Sequence, residues 1–214
     1  MPRPSGDTEK RLLEAGRKQL YKTGMTGLRL RQVAQQAGVN LGMFHYLFGS
    51  RDEFIKRLLK DIYKDFISRL RVDTAPGLAP EEKLRRAITS LGMFVRENRH
   101  PIAAMMTDAL SGDNAAAEFI RDNFTEHLSM LVNLLRECRE SGAIADLPEP
   151  LLLSTIAGSL AAPAMMVTGL EKTGAKSALG MSLPRLNDAL LSDKTLELRV
   201  NLLMRALKPA KEAA

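Results

Sequence analysis

The residues best suited to chemistry on another molecule stand in one short stretch, Leu41-Gly42-Met43-Phe44-His45-Tyr46-Leu47-Phe48, preceded by Asn40. In a helix, Phe44 and Phe48 lie four apart and form one face, which leaves Leu41, Gly42, Met43, His45 and Tyr46 toward solvent or a partner. Exposed side chains of this kind add little to stability. They suit recognition instead, through methyl contacts and through hydrogen bonds from an imidazole or a phenol. No catalytic constellation accompanies them: there is no nucleophile-base pair and no Gly-rich phosphate loop, so the chain is not expected to be an enzyme. His100 and His127 lack a second ligand three or four residues further on, and no metal site is expected. The single cysteine, Cys138, excludes an intramolecular disulfide framework and a cysteine-rich metal site, and its own role stays open.

The elements that must hold this stretch are legible around it. A first helix is expected from a cap at Asp7 or Thr8 to about Thr23, stopped by Gly24, after a frayed arm over residues 1 to 6. A second covers roughly Arg29 to Gln36, with Leu30, Val33, Ala34 and Ala37 at helical spacing. Gly38 supplies the positive-φ residue of a sharp turn. Asn40 caps the third helix, and Ser50-Arg51-Asp52-Glu53 is a capping box opening a fourth that runs to about Arg71. Two short helices hinged at a glycine, followed by a capped long one, place one helix in a DNA groove.

Charge agrees with that reading. The chain of 214 residues carries a formal net charge of +6. Through Arg71 there are 15 basic and 7 acidic residues, a net +8, and beyond it 16 basic and 18 acidic, a net −2. A basic head beside a near-neutral body suggests polyanion binding through counterion release. Aromatics are only 5% and Trp is absent, a composition that favours helices, with almost no sheet expected. The longest apolar run, Ile156 to Val167, is interrupted by Gly158, Ser159 and Pro163, and is expected to be too short to span a bilayer. The opening MPRPSGDTEKR has no apolar signal-type region, so a cytoplasmic protein without membrane partners is expected.

Beyond a Pro/Gly-rich loop at Val72 to Pro80, helices are expected from about Pro80 to Asn98, Pro101 to Leu110, Ala115 to Ser141, Pro148 to Thr168 and Ser192 or Asp193 to Leu207. A Gly112-Asp113-Asn114 turn separates the second and third of these. The segment Gly169 to Leu191 is expected to be irregular, and its role is open.

The head resembles the TetR family of transcriptional regulators. The resemblance rests on Gly24, Val33-Ala34, the run from Ala37-Gly38-Val39-Asn40 to Phe48, and Ser50-Arg51-Asp52-Glu53-Phe54, and covers roughly residues 7 to 60. Asn40 stands where the family usually has a capping Ser, His45 where it has Tyr, and Arg29 where many members have Thr. The resemblance implies that Leu41, Gly42, Met43 and His45 face the major groove, with Arg29, Tyr46 and Arg51 on phosphates. Apart from Asn40 at its edge, this surface has no Arg, Asn or Gln able to make a bidentate base contact. Thymine-methyl contacts from Leu41 and Met43, plus DNA shape, are therefore expected to carry much of the discrimination.

One short recognition helix buries little surface, so two heads on one duplex are expected. Helix 148 to 168 carries a small stripe, Ser154, Gly158 and Ala162, flanked by Leu152, Ile156 and Leu160. The last helix offers Leu196, Val200 and Leu203. In TetR-like proteins such segments form a dimer interface, while packing inside one subunit is the alternative. The resemblance further implies an effector cavity in the body. Met93, Phe94, Met105, Met106, Phe119, Phe124, Leu128, Met165 and Met166 are adaptable apolar residues that suit one, with a small apolar or aromatic effector and no cofactor.

The expected fold is thus all-α, with a three-helix helix-turn-helix head over residues 7–54, a connector continuing to about 71, and a helical regulatory and dimerisation body over 72–214. The expected function is a homodimeric, ligand-responsive repressor on a palindromic double-stranded DNA operator. The alternative is a ligand-independent DNA-binding or recruitment protein, or an activator, whose body serves only dimerisation or partner binding.

Overall fold

The computed structural model describes residues 6–74, 77–112 and 114–209. Of the features anticipated above, residues 1–5 of the arm, Pro76, Asp113 and the side chain of Phe124 lie outside the described residues. The described chain is all-α apart from one two-residue strand pair. Its order is α1 (Gly6–Gly27), α2 (Leu30–Gln36), α3 (Leu41–Phe48), α4 (Arg51–Asp73), α5 (Pro80–Glu97), α6 (Arg99–Leu110), α7 (Asn114–Glu140), α8 (Glu149–Lys172), β1 (Ser177–Ala178), β2 (Met181–Ser182), α9 (Leu183–Leu191) and α10 (Asp193–Ala206).

The residues form two compact units. One is built from the chain up to Asp65 together with His100–Asn123, the other from Phe66–Arg99 and from Phe124 onward. In the first, Leu12 and Leu20 of α1, Val33 of α2, Phe44 of α3 and Phe54 and Leu58 of α4 are fully enclosed. Phe44, Phe48 and Phe54 form an aromatic triangle with ring centroids 4.8–5.2 Å apart, a geometry that rewards edge-to-face contact beyond area alone. Gly16 lets α1 and α4 approach closely. A Cβ there would sit 2.5 Å from Phe54 Cζ. Arg17 locks the same pair of helices from outside, reaching Asp61 at 2.8 Å and Asp65 at 2.7 Å.

In the second unit α8 packs against α5, α9 and α10. Leu152, Ile156, Leu160, Ala164 and Val167 of α8 are buried, as are Leu196, Val200 and Leu203 of α10. Gly92 of α5 gives close access to Leu196 and Leu160, since a Cβ there would meet them at 2.5 and 3.1 Å.

Three sequence expectations are corrected. α1 does not stop at Gly24 but continues to Gly27, because a glycine within a helix costs only about 1 kcal/mol relative to alanine and need not end it. α8 runs unbroken through Gly158, Ser159 and Pro163 to Lys172. With 24 residues, and a mean hydropathy of 1.7 over its most apolar 18-residue window, it is long and apolar enough, by length and composition, to cross a bilayer. Within the unit its inner face is used against the bundle. Finally, Gly169 to Leu191 is largely ordered into the end of α8, an antiparallel hairpin and α9. Leu179 (φ 53°) and Gly180 (φ 72°) make the two successive positive-φ residues of a tight hairpin turn, and Pro184 sits in the first turn of α9, where a missing N–H costs nothing.

Candidate nucleic-acid interface

The outward surface of α3 is set by what lies behind it. Phe44 is wholly buried and Phe48 is 9% exposed, which fixes the helix's rotation. Gly42, His45 and Tyr46 are left exposed and Leu41 and Met43 half-buried, Tyr46 being 71% exposed. Asn40 is extended (φ −72°, ψ 153°) and its side-chain oxygen accepts from the Met43 N–H at 2.7 Å, the expected N-cap. Gly38 (φ 64°) turns the chain between α2 and α3, and the Val39 N–H closes the turn on the Ala34 carbonyl at 2.9 Å.

His45 is held by the end of its own helix. Its Nδ1 lies 3.0 Å from the Gly49 carbonyl oxygen. A carbonyl only accepts, so Nδ1 carries the proton, and in the neutral ring Nε2 is left as an acceptor. An acceptor there suits a base amino group, whereas a phosphate would require the doubly protonated ring.

α4 starts as its sequence requires in one half of the box: the Ser50 hydroxyl accepts from the Glu53 N–H at 3.1 Å. The Glu53 carboxylate turns to Lys56 at 3.3 Å. Arg51 is half-buried, its Nε 3.5 Å from the Leu28 carbonyl, which braces the α1–α2 connection from below.

Sequence reasoning passed over Gln19. This side chain of α1 is 4% exposed, its Oε1 accepts from the Arg29 N–H at 3.1 Å, and its Nε2 donates to the Gln32 side chain. Arg29 is the extended N-cap of α2 and has no capping side chain of its own. Gln19 therefore satisfies the Arg29 N–H from another helix and leaves the Arg29 guanidinium exposed. No local pattern announces this, because the partners are ten and thirteen residues away in sequence.

Within the first unit the cations divide into two groups. Arg11, Arg17, Arg51, Lys56 and Arg57 are paired with Asp7, Asp61 and Asp65, Asp52, Glu53 and Glu9. Among the described residues no ion pair holds Lys18, Lys22, Arg29 or Arg31, and the last three are exposed together with Lys18. Unneutralised cations on α1 and at the start of α2, beside an exposed α3, form a surface that can take a polyanion without first breaking internal pairs.

The residues named for an effector cavity are not brought into one place. Met105 and Phe119, with Ile55 and Leu59, line a trough of ≈ 490 Å³ in the first unit. In the second, Phe94 stacks on Phe66 with centroids 4.2 Å apart. Met165 packs beside Val167 and Leu191, while Met93, Leu128 and Met166 there, and Met106 in the first unit, are 39–42% exposed. A small, partly open cavity of ≈ 10 Å³ lies in the second unit among Phe66, Leu70, Leu91, His127, Met130 and Leu134, room for about one water. His127 is 7% exposed, and burial pushes its imidazole down to about 4, with Glu126 acting weakly the other way.

The residues named for dimerisation separate by side. Leu152, Ile156, Leu160, Leu196, Val200 and Leu203 are spent in the subunit's own core. Ser154, Gly158 and Ala162 face outward, beside Leu151 at 50% and, on α10, Leu198 at 53% and Leu202 at 65% exposure. Between α8 and α10, Ser159, Leu198 and Leu202 line a groove of ≈ 440 Å³.

Comparison with known proteins places this geometry in a recognised setting. Residues 12–58 match the model described as bacterial regulatory proteins, tetR family. The HTH-type transcriptional repressor NicS of Pseudomonas putida is 33% identical over 97 residues, 44% of this chain and 43% of that protein. The matched region thus spans less than half the length of that curated relative. Two crystal structures share the fold. A TetR transcription regulator from Haloarcula marismortui has a TM-score of 0.72 at 14% identity, covering 94% of this chain and 98% of the other. The transcriptional regulator FadR from Bacillus subtilis, in complex with stearoyl-CoA, has a TM-score of 0.63 at 21% identity, covering 90% and 97%.

Proposed function

We propose, from the premise that residues 12–58 belong to the tetR family of bacterial regulatory proteins, that this protein is a cytoplasmic, sequence-specific DNA-binding transcriptional regulator and not an enzyme. The observation that carries the reading is the exposed α3, rotationally fixed by Phe44 and Phe48 and flanked by the unpaired Arg29 and Arg31. Leu41, Gly42, Met43 and His45 read base edges in the major groove, Asn40 caps the reading helix, and Arg29, Tyr46 and Arg51 grip phosphates. With Leu41 and Met43 as the apolar contacts and the Nε2 of His45 as an acceptor, thymine methyls and base amino groups are the preferred features.

The regulator acts as a homodimer. The outward Leu151, Ser154, Gly158 and Ala162 of α8 and Leu198 and Leu202 of α10 support this, since small residues admit a second helix closely and the leucines gain most from being covered. Two-fold symmetry then dictates a palindromic operator with half-sites about 34 Å or a multiple apart. Control by a small apolar ligand is the finer reading. A protein of the same fold crystallised in complex with stearoyl-CoA supports a ligand as such, and the apolar lining around His127 supports an apolar one. A ligand that enters this ≈ 10 Å³ cavity selects a more open body, and it relieves repression if that body disfavours simultaneous contact with both half-sites.

Selection of bound duplexes from random DNA tests the reading. The expected product is an inverted repeat with A·T-rich contacted positions. Retention of no sequence, or of positions that all demand guanine opposite α3, overturns it.

A further inference from the structure

Two of the unneutralised cations, Lys18 and Lys22, line a trough to which no residue of α3 contributes. α1 and α2 enclose this trough of ≈ 450 Å³, with Arg11, Glu14, Lys18 and Lys22 along one wall and Gln32 and Gln36 along the other. Resting on the DNA-binding reading above, we infer that this trough is a phosphate track that takes the phosphodiester backbone of duplex flanking the half-site.

The lining carries three bases against one acid, with three amides, one hydroxyl and only Ala15 and Ala37 as apolar residues. A trough of this size built for an apolar small molecule would be lined mainly by aliphatic and aromatic residues, which this one is not. The cations that matter are Lys18 and Lys22, both exposed and without an ion pair among the described residues. Four residues apart on one helix, they stand about 6 Å from each other along its axis. That is close to the axial rise of two nucleotides of one strand, at about 3.4 Å each.

The opposite wall is built rather than incidental. The buried Gln19 holds the Gln32 side chain, so one amide of the trough is fixed in orientation. At the far end Arg11 is anchored by donating to the Ala37 carbonyl at 3.2 Å, with Asp7 at 3.3 Å, so its charge is partly spent. Glu14 has no ion pair among the described residues and opposes an anion in the trough.

The test uses the full-length protein and the duplex obtained by site selection, in one form trimmed to the two half-sites and in another extended by several base pairs at each end. On the extended duplex, the Lys18→Gln/Lys22→Gln double variant should lower the slope of log K against log[salt] by about 2 and weaken binding at 0.15 M salt by about 30-fold. On the trimmed duplex it should match the wild type, and its selected base sequence should be unchanged. Glu14→Gln should act oppositely, tightening binding to the extended form by about 5-fold, a gain that misfolding cannot mimic. Equal binding by wild type and double variant on the extended duplex overturns the inference. So does a changed base preference, which would mean the lysines act by positioning α2 and α3. Inorganic phosphate titrated at constant ionic strength is the third arm: saturable binding that needs Lys18 and Lys22, with no dependence on flanking DNA, assigns the trough to a small anion instead. If the wild type binds no duplex at all, the DNA-binding reading itself has failed, and that result is distinct from each of the others.

Discussion

His127 offers a perturbation whose size can be worked from the structure. It lies on α7, 7% exposed, edge-on to Phe66 at a centroid distance of 5.9 Å, and burial holds its imidazole down at about 4 against an ordinary 6.5. Between these values the unfolded chain binds a proton that the folded chain refuses. Stability is therefore fully present above pH 6.5 and falls as the pH drops toward 4, by about 1.4 kcal/mol per unit at the steepest. At pH 4.5 the accumulated loss comes to about 2 kcal/mol, a large share of the stability of an ordinary domain. Urea denaturation of the wild type and His127→Leu between pH 7.5 and 4.5 measures it. Carboxylates titrate in both proteins, so their contribution largely cancels in the difference, Glu126 beside the ring being one whose titration alters the effect. The stability of His127→Leu relative to wild type should rise by about 2 kcal/mol across that range. A difference that stays constant with pH, or that changes in the opposite direction, refutes the reasoning.

Other consequences follow from named contacts. Gln19→Ala removes the acceptor of the Arg29 N–H and the partner of Gln32, and should cost about 1–3 kcal/mol in thermal or chemical denaturation while weakening DNA binding. Asn40→Ala should cost about 1 kcal/mol through loss of the cap on α3, and weaken binding without changing the salt slope, because no charge is removed. Leu198→Glu/Leu202→Glu places charge on the outward face of α10 and should shift sedimentation toward a monomer. A dimer of undiminished stability would move the interface elsewhere.

Much of the head could be read directly from its sequence because its constraints are local. Asn40 and Ser50 accept from backbone N–H groups three residues on, Gly38 has the positive φ its turn demands, and Phe44, Phe48 and Phe54 meet as helical spacing requires. Gln19 was not legible, since its partners lie on another helix and its residue type is common on solvated faces. The body was harder for a related reason. Helical periodicity identifies an apolar face but does not say what covers it, so Leu152, Ile156 and Leu196 read equally well as a subunit boundary or, where the structure puts them, as the subunit's own core. The methionines that composition grouped together are dispersed over both units, because Met fills whatever gap its helix meets. In Gly169 to Leu191, glycine and proline read as irregular structure, whereas Gly180 makes a hairpin turn and Pro184 starts a helix.

The most direct test of the central claim is a comparison of affinities by fluorescence anisotropy at 0.15 M salt, using the selected duplex and a scrambled duplex of the same length and composition. A regulator that reads sequence with α3 should bind the selected duplex at least about 10³-fold more tightly, and both affinities should fall steeply as salt is raised. Equal affinity for the two duplexes would mean that the cations bind DNA without the helix reading it, and would contradict the account.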